Sequence, residues 1–101
     1  MAYSINRKPT TPGELLREEY LLPIGMTQKQ LADHIGCDVK VINRIIKGRC
    51  ATTAAIAIKL AAAFKTSPDF WLNAQKAIDI HNARKRIGPM PKPIIYQVKA
   101  A

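Results

Sequence analysis

Apolar residues recur at helical spacing along most of this chain, and turn-forming residues separate the segments. The first segment begins at Thr11 and Pro12, which fit a helix N-cap followed by a first-turn proline. Its apolar side continues until Pro23 and Gly25, two residue types that end helices. The pattern therefore predicts a first helix that stops at this pair.

Two more helices are predicted in the second half of the chain. One follows an N-cap at Thr53, and its apolar residues Ile56 and Leu60 lie one helical turn apart. The other starts at Ser67, which a proline follows, and runs to about Arg84.

The two ends of the chain differ from this helical region. Residues 1–10 carry two basic side chains without periodicity, which is typical of a flexible arm. Beyond Gly88, three prolines exclude helix, and residues 94–98 have a strand-like composition. The sequence predicts a basic arm over residues 1–10, one helical domain over residues 11–86 and an extended Pro-rich tail over residues 87–101.

Two short amphipathic segments meet at Gly36 and have the pattern of a DNA-reading helix-turn-helix over about residues 27–48. Thr27 fits the N-cap of the first segment, and Asp38 fits that of the second. Gly36 lies where the first helix needs a left-handed residue to end, and the small Ala32 lets the two backbones approach. The sequence therefore predicts two helices that cross steeply.

The second of these helices has two chemically distinct sides. At about 100° per residue, one side collects the β-branched residues Val39, Ile42, Ile45 and Ile46. The opposite arc is polar and contains Lys40, Asn43, Arg44 and Lys47. One side is thus expected to pack against the domain, and the other is free to contact bases and phosphates.

Charge agrees with a nucleic-acid partner. The chain has 101 residues, enough for one domain, and 16 Lys and Arg against 7 Asp and Glu give a net charge of +9. Such a surplus attracts polyanions, nucleic acid first and anionic membrane surfaces second. The apolar run over residues 54–64 is interrupted by Lys59 and is far shorter than the roughly 20 residues of a membrane span. Without a signal-type stretch either, a cytoplasmic protein is expected.

The sequence offers little for catalysis or metal binding. Cys37 and Cys50 are separated by a helix, and with His34 they lack the fourth ligand and paired spacing of a zinc site. The acidic residues are scattered, and the adjacent Glu18–Glu19 pair points to different sides of a helix, which argues against a hydrolase. His81 is expected at the surface. We therefore expect no enzyme activity, no metal and no cofactor.

A basic RNA-binding or ribosome-associated protein is a further possibility from composition. Aromatic residues make up 6% of the chain, but none are paired in a predicted strand. This argues against a base-stacking platform of the RRM type.

Residues 11–19 read Thr-Pro-Gly-Glu-Leu-Leu-Arg-Glu-Glu, and residues 70–73 read Phe-Trp-Leu-Asn. Together with the helix-turn-helix, these motifs resemble the HigA (VapI-type) antitoxins of the XRE helix-turn-helix family over roughly residues 9–80. The resemblance implies an all-α, compact five-helix domain of the lambda-repressor type. It further implies a homodimer that binds operator DNA and represses its own operon, and a HigB-type toxin partner that cleaves mRNA on the ribosome.

Carried onto this chain, the family's DNA contacts fall on Gln28, Lys40, Asn43, Arg44 and Lys47. The chemistry suits these roles, because Asn and Arg form paired hydrogen bonds to purine edges while Lys more often meets phosphate. Gln28 either bonds a phosphate or braces the recognition helix. A sixth residue, Val41, lies at the edge of the polar arc, where it either contacts a thymine methyl group or packs.

Some questions stay open at this point. Aromatic residues around Trp71 belong either to the core or to a dimer interface on the last helix. Lys65 stands where many relatives have a helix-ending glycine, and the tail lies outside the resemblance, so neither feature is inherited. A repressor of the same fold without a toxin partner is the alternative function, since only the motif at residues 70–73 separates the two.

Overall fold

Five helices, labelled α1 to α5 in chain order, form the regular structure of residues 7–94, the part of the chain that this computed structural model describes. Helix α1 spans residues 12–24, and the others span Gln28–Ile35, Val39–Ile46, Ala54–Phe64 and Pro68–Arg86. The described residues contain no β-strand. The predicted all-α, five-helix architecture is therefore confirmed.

A polar side chain caps the first turn of every helix. Each of these side chains accepts a hydrogen bond from a backbone N–H two or three residues further along, which satisfies a donor that the helix itself leaves unpaired. In chain order the caps are Thr11, Thr27, Asp38, Thr53 and Ser67, as the sequence predicts.

Helix α1 ends at the pair Pro23 and Gly25, as predicted, but the residue that ends it is Gly25. Its middle, Leu16–Leu21, is π-helical, and the N–H of Leu22 donates to the carbonyl oxygen of Arg17, five residues earlier. Because the bonding register has already shifted in these wider turns, the missing N–H of Pro23 does not end the helix. Gly25, in the left-handed region at φ 75°, ends it instead.

The core lies where the five helices meet. Each helix contributes one of the five largest fully buried side chains, which are Leu16, Leu31, Ile42, Leu60 and Trp71. Helix α4 packs along α5, while α3 packs against both α2 and α1. This arrangement holds α3, the predicted recognition helix, against the domain through its apolar side.

The open question about Trp71 is resolved in favour of the core. Its indole Nε1 donates to Thr66 Oγ1 at 2.8 Å, and its ring centroid lies 5.3 Å from that of Tyr20. The neighbouring Phe70 packs edge-on against Trp71 but is 40% exposed. An aromatic cluster thus joins α1 to the start of α5.

Three other details differ from the sequence predictions or complete them. Lys65 itself adopts the left-handed conformation, at φ 56°, and ends α4. Helix α5 runs to Arg86, two residues beyond the predicted end. His81, expected at the surface, is only partly exposed, and its Nε2 atom is enclosed.

The chain ends lie largely outside this description. Residues 87–94 form neither helix nor strand. Of the residues predicted to be strand-like, 95–98 lie outside the described part of the chain, as do residues 1–6 of the predicted basic arm.

Candidate nucleic-acid interface

The turn between α2 and α3 is fixed by backbone and side-chain bonds. Gly36 has φ 73°, and the N–H of Cys37 donates to the carbonyl oxygen of Ala32 at 2.9 Å, which closes the end of α2. From α4, Lys59 Nζ donates to the carbonyl oxygen of Gly36 at 3.2 Å. The positive charge also lies favourably at the C-terminus of α2. The angle between the two helices is thus held from a third helix.

The two sides of α3 separate as the sequence predicts. Ile42 and Ile45 are buried. The exposed residues of the opposite side are Lys40, Arg44 and Lys47, while Val41 and Asn43 are half-buried.

The start of α2 is joined to α3 by a side-chain hydrogen bond. Asn43 Nδ2 donates to Gln28 Oε1 at 3.1 Å. Of the two roles considered for Gln28, the one that the geometry provides is bracing of α3. The bond uses one N–H of the Asn43 amide and leaves its Oδ1 and second N–H for another partner.

A shallow depression on this side of the molecule collects most of the predicted contact residues. Its lining comprises Gln28, Val39, Lys40, Asn43, Arg44 and Arg49. Val41 and Lys47 do not line it.

Arg49 is a member of this group that the sequence reasoning missed. It follows α3 in a loop without periodicity, so no helical pattern marks it. Its backbone N–H donates to the carbonyl oxygen of Arg44 at 2.8 Å, which holds the loop against the end of α3. The one sequence signal for it is its basic character next to the recognition helix.

The basic side chains of this surface have no carboxylate partner. Among residues 7–94, the ion pairs are Arg17 with Glu18 and Lys29 with Asp33. The nearest acid in sequence, Asp38, accepts a bond from the backbone N–H of Lys40 at 2.8 Å. The side chains of Lys40, Arg44, Lys47 and Arg49 are therefore available to phosphate.

Helix α3 is positioned by a close approach to α1 at Gly13. A Cβ atom on Gly13 would overlap the carbonyl oxygen of Ile45 and lie 2.7 Å from the Cα atom of Ile46. Only glycine lets the backbones come this close. The sequence reasoning included Gly13 in a motif without assigning it this packing role.

The loop that carries Arg49 is also fixed from α5. Gln75 Oε1 accepts from the backbone N–H of Thr52 at 2.8 Å, and Gln75 Nε2 donates to Asp79 Oδ1 at 2.9 Å. Because Thr52 is buried, this donor needs a protein partner. Gln75 thus determines where the loop between α3 and α4 can lie.

The two cysteines are free thiols. Burial is the main reason that the pKa of Cys37 is raised; Asp38 adds to the shift and Lys59 opposes it. Residues 7–94 contain no cluster of three His, Cys, Asp or Glu side chains placed to hold a metal ion. No helix in that range is long and apolar enough to cross a membrane.

Comparison with known proteins places this geometry in context. Residues 17–71 match the helix-turn-helix family. Antitoxin HigA-1 of Vibrio cholerae serotype O1 is 44% identical over 80 residues, which cover 79% of this chain and 75% of that protein.

Two solved structures are also similar. The Pseudomonas aeruginosa antitoxin HigA with the higBA promoter has a TM-score of 0.80 at 29% identity, covering 87% of this chain and 100% of that one. Antitoxin GraA in complex with its operator has a TM-score of 0.79 at 30% identity, covering 93% and 100%.

Proposed function

Because the chain belongs to the helix-turn-helix family that includes the HigA antitoxins, we propose that it is a sequence-specific DNA-binding antitoxin that represses its own operon. The matched family comprises DNA-binding regulators and is not an enzyme class. The observation that carries the proposal is the braced polar side of α3, on which Asn43 is held by Gln28 beside the unpaired Lys40 and Arg44.

Base readout is assigned to Asn43 and Arg44. The free edge of the Asn43 amide suits the N6 and N7 atoms of adenine, and the Arg44 guanidinium suits the O6 and N7 atoms of guanine. Because the bond to Gln28 restricts the rotation of the Asn43 amide, less ordering is needed on binding.

Phosphate contact is assigned to Lys40, Lys47 and the additional residue Arg49. All three side chains are exposed. Lys40 and Lys47 lie before and after the two base readers in sequence, and Arg49 follows in the loop. Val41, half-buried beside the polar arc, is assigned a packing contact or a contact with a thymine methyl group.

Dimeric binding to an inverted repeat follows from the size of this surface. One helix of eight residues, Val39–Ile46, reads only a few base pairs. Two-fold symmetry doubles the contact and sets half-site centres about 34–36 Å apart, or a multiple of that distance.

The toxin partner is the second part of the proposal. We infer a HigB-type toxin that cleaves mRNA, since Antitoxin HigA-1 and the Pseudomonas aeruginosa antitoxin HigA are similar to this chain. A stand-alone repressor of the same fold is the competing function.

The test has two parts. Purified protein should shift DNA from upstream of its own gene in a gel, and a scrambled duplex of the same length should shift only at much higher protein concentration. Expression of the product of an adjacent short basic open reading frame should arrest growth, and co-expression of this chain should relieve the arrest. Specific DNA binding without relief would favour the stand-alone repressor.

A further inference from the structure

A second basic surface lies on α5, separate from the depression on α3. It is a groove between the start of the described chain and one side of α5, and its charged lining is Arg7, Arg84 and Lys85. We propose that this groove is a second phosphate-binding site for duplex DNA. The proposal rests on the DNA-binding function above and extends the DNA-binding surface beyond the helix-turn-helix.

The charge of the groove favours an anion. Its seven lining residues include no Asp or Glu. The acid on the neighbouring part of α5, Asp79, accepts a bond from Gln75 and lines a different cleft. Among residues 7–94, none of the three cations forms an ion pair. Their mutual repulsion is therefore relieved by a polyanion rather than by the protein.

His81 lines the same groove and has one enclosed nitrogen atom. Its Nε2 atom is buried and has no hydrogen-bond partner within the described residues. A buried nitrogen of this kind is costly to leave unpaired. Because Nε2 is enclosed, a ligand in the groove does not reach it in this conformation, and phosphate contact is assigned to Arg7, Arg84 and Lys85.

The groove is close to the proposed DNA surface along two paths. Thr11 and Asn82 line one cleft together with Arg49 of the DNA-contacting loop. Arg7 is four residues before Thr11, a span of at most about 14 Å. Lys85 is three residues after Asn82, about 4.5 Å along the helix axis. We infer that the groove lies along the path of a duplex seated on α3, which carries a charge about every 1.7 Å of its axis.

An acidic peptide is the competing ligand, because the exposed apolar side chain of Ile80 also lines the groove. The proximity to Arg49 and the absence of carboxylates favour the nucleic-acid backbone. One measurement distinguishes the two ligands. Removing a cation of the groove weakens the salt dependence of DNA binding if that cation contacts a DNA phosphate, and leaves it unchanged if the groove binds a peptide.

The experiment measures DNA binding by the full chain as a function of salt concentration. The variants are Arg84→Gln with Lys85→Gln, and the same pair with Arg7→Gln. Fluorescence anisotropy is measured on the duplex from upstream of the gene and on a scrambled duplex. We expect the slope of log K against log salt to become shallower by about 0.9 for each phosphate that the variant protein no longer neutralises. The affinity should fall by a similar factor on both duplexes, because phosphate contacts carry no sequence information.

Lys76→Gln is the matched control, because Lys76 is an exposed lysine on the same helix that does not line the groove. It should leave the slope close to that of the wild type. Ethylation interference should identify phosphates whose ethylation weakens binding of the wild type but does not weaken binding of the groove variants. These phosphates should differ from those affected by Lys47→Gln.

Several results would overturn the proposal. One is an unchanged slope in the groove variants when Lys47→Gln lowers it. Another is dissociation of the groove variants into monomers at binding concentrations, measured by sedimentation, which would make the groove a contact between copies. Weaker binding of the variants to a polyglutamate probe, with DNA binding intact, would identify a peptide site. Failure of the wild type to prefer its upstream duplex would instead contradict the proposed function itself.

Discussion

Helices α3 and α5 both present basic side chains, but they are held in place differently. Helix α3 is short, is anchored by buried Ile42 and Ile45, and approaches α1 closely at Gly13. Helix α5 has 19 residues, and only Trp71 and Ile78 are buried along it. It supports the loop of the DNA surface through the side chain of Gln75. We therefore assign base recognition to the short helix α3, and to α5 the support of the loop and the additional phosphate contacts proposed above.

The largest effect on this arrangement is expected from Gly13→Ala. In an ordinary helix this change would stabilise the protein by about 0.5–1 kcal/mol. Here the added methyl group would overlap the Ile45 carbonyl oxygen, so we expect the free energy of unfolding to fall by about 3 kcal/mol. Urea unfolding measures the change, and Glu19→Ala, at an exposed position of α1 outside the ion pairs, is the control. A stabilised variant would mean that α1 and α3 do not approach each other in this way.

Removal of the base readers comes next. Asn43→Ala or Arg44→Ala should cost about 1–3 kcal/mol of binding at the cognate site and flatten base preference. Lys40→Ala or Lys47→Ala should weaken binding to all sequences more evenly and lower the salt slope by about 1. Titrations against a set of single-base operator variants separate the two outcomes. The contrary result is an Asn43 variant that keeps its base preference while a change at Val41 abolishes it. That result would show that base contact has been assigned to the wrong side of α3.

A smaller effect is expected where α5 supports the loop. Gln75→Leu removes the partner of the buried Thr52 N–H and should cost about 1 kcal/mol of DNA affinity by releasing the loop of Arg49. In an Arg49→Ala background, the same change should have little further effect on affinity. Asp79→Ala, which leaves the Gln75 acceptor present, is the control. Additive effects would show that Gln75 acts on DNA binding by another route.

The smallest expected change is a gain of stability at the end of α4. Lys65 holds a left-handed conformation that favours glycine, so Lys65→Gly should raise the free energy of unfolding by about 0.5–1 kcal/mol. DNA affinity should not change, since Lys65 does not line the α3 depression. Thermal and urea unfolding would detect the gain, and a loss of stability would contradict this backbone assignment.

Sequence reasoning succeeded where the physical signal is local. The caps at Thr27 and Asp38, the left-handed Gly36 and the two sides of α3 depend on residues within one or two helical turns. Such signals are visible because side-chain direction follows the helical repeat. The five-helix architecture and most of the residues that surround the depression could be predicted from these signals and from the family resemblance.

Sequence reasoning failed where the interaction is distant along the chain or where the backbone departs from a regular helix. Gln75 bonds Thr52 across 23 residues, and Lys59 reaches Gly36 across the same separation. His81 shares a groove with Arg7 and Pro9, which are distant in sequence, so its partial burial leaves no local pattern. The π-helical turns of α1, which let the helix pass through Pro23 to end at Gly25, leave no simple pattern in the sequence.

Hydroxyl-radical footprinting of the DNA upstream of the gene tests the central claim most directly. The account predicts two symmetric protected segments whose centres are about 34–36 Å apart, or a multiple of that distance, with a dimer bound. In the Asn43→Ala variant this pattern should fade while weak, non-specific binding remains. A single unrepeated protected segment bound by a monomer, or an unchanged footprint in that variant, would contradict the assignment of α3 as the element that reads the operator.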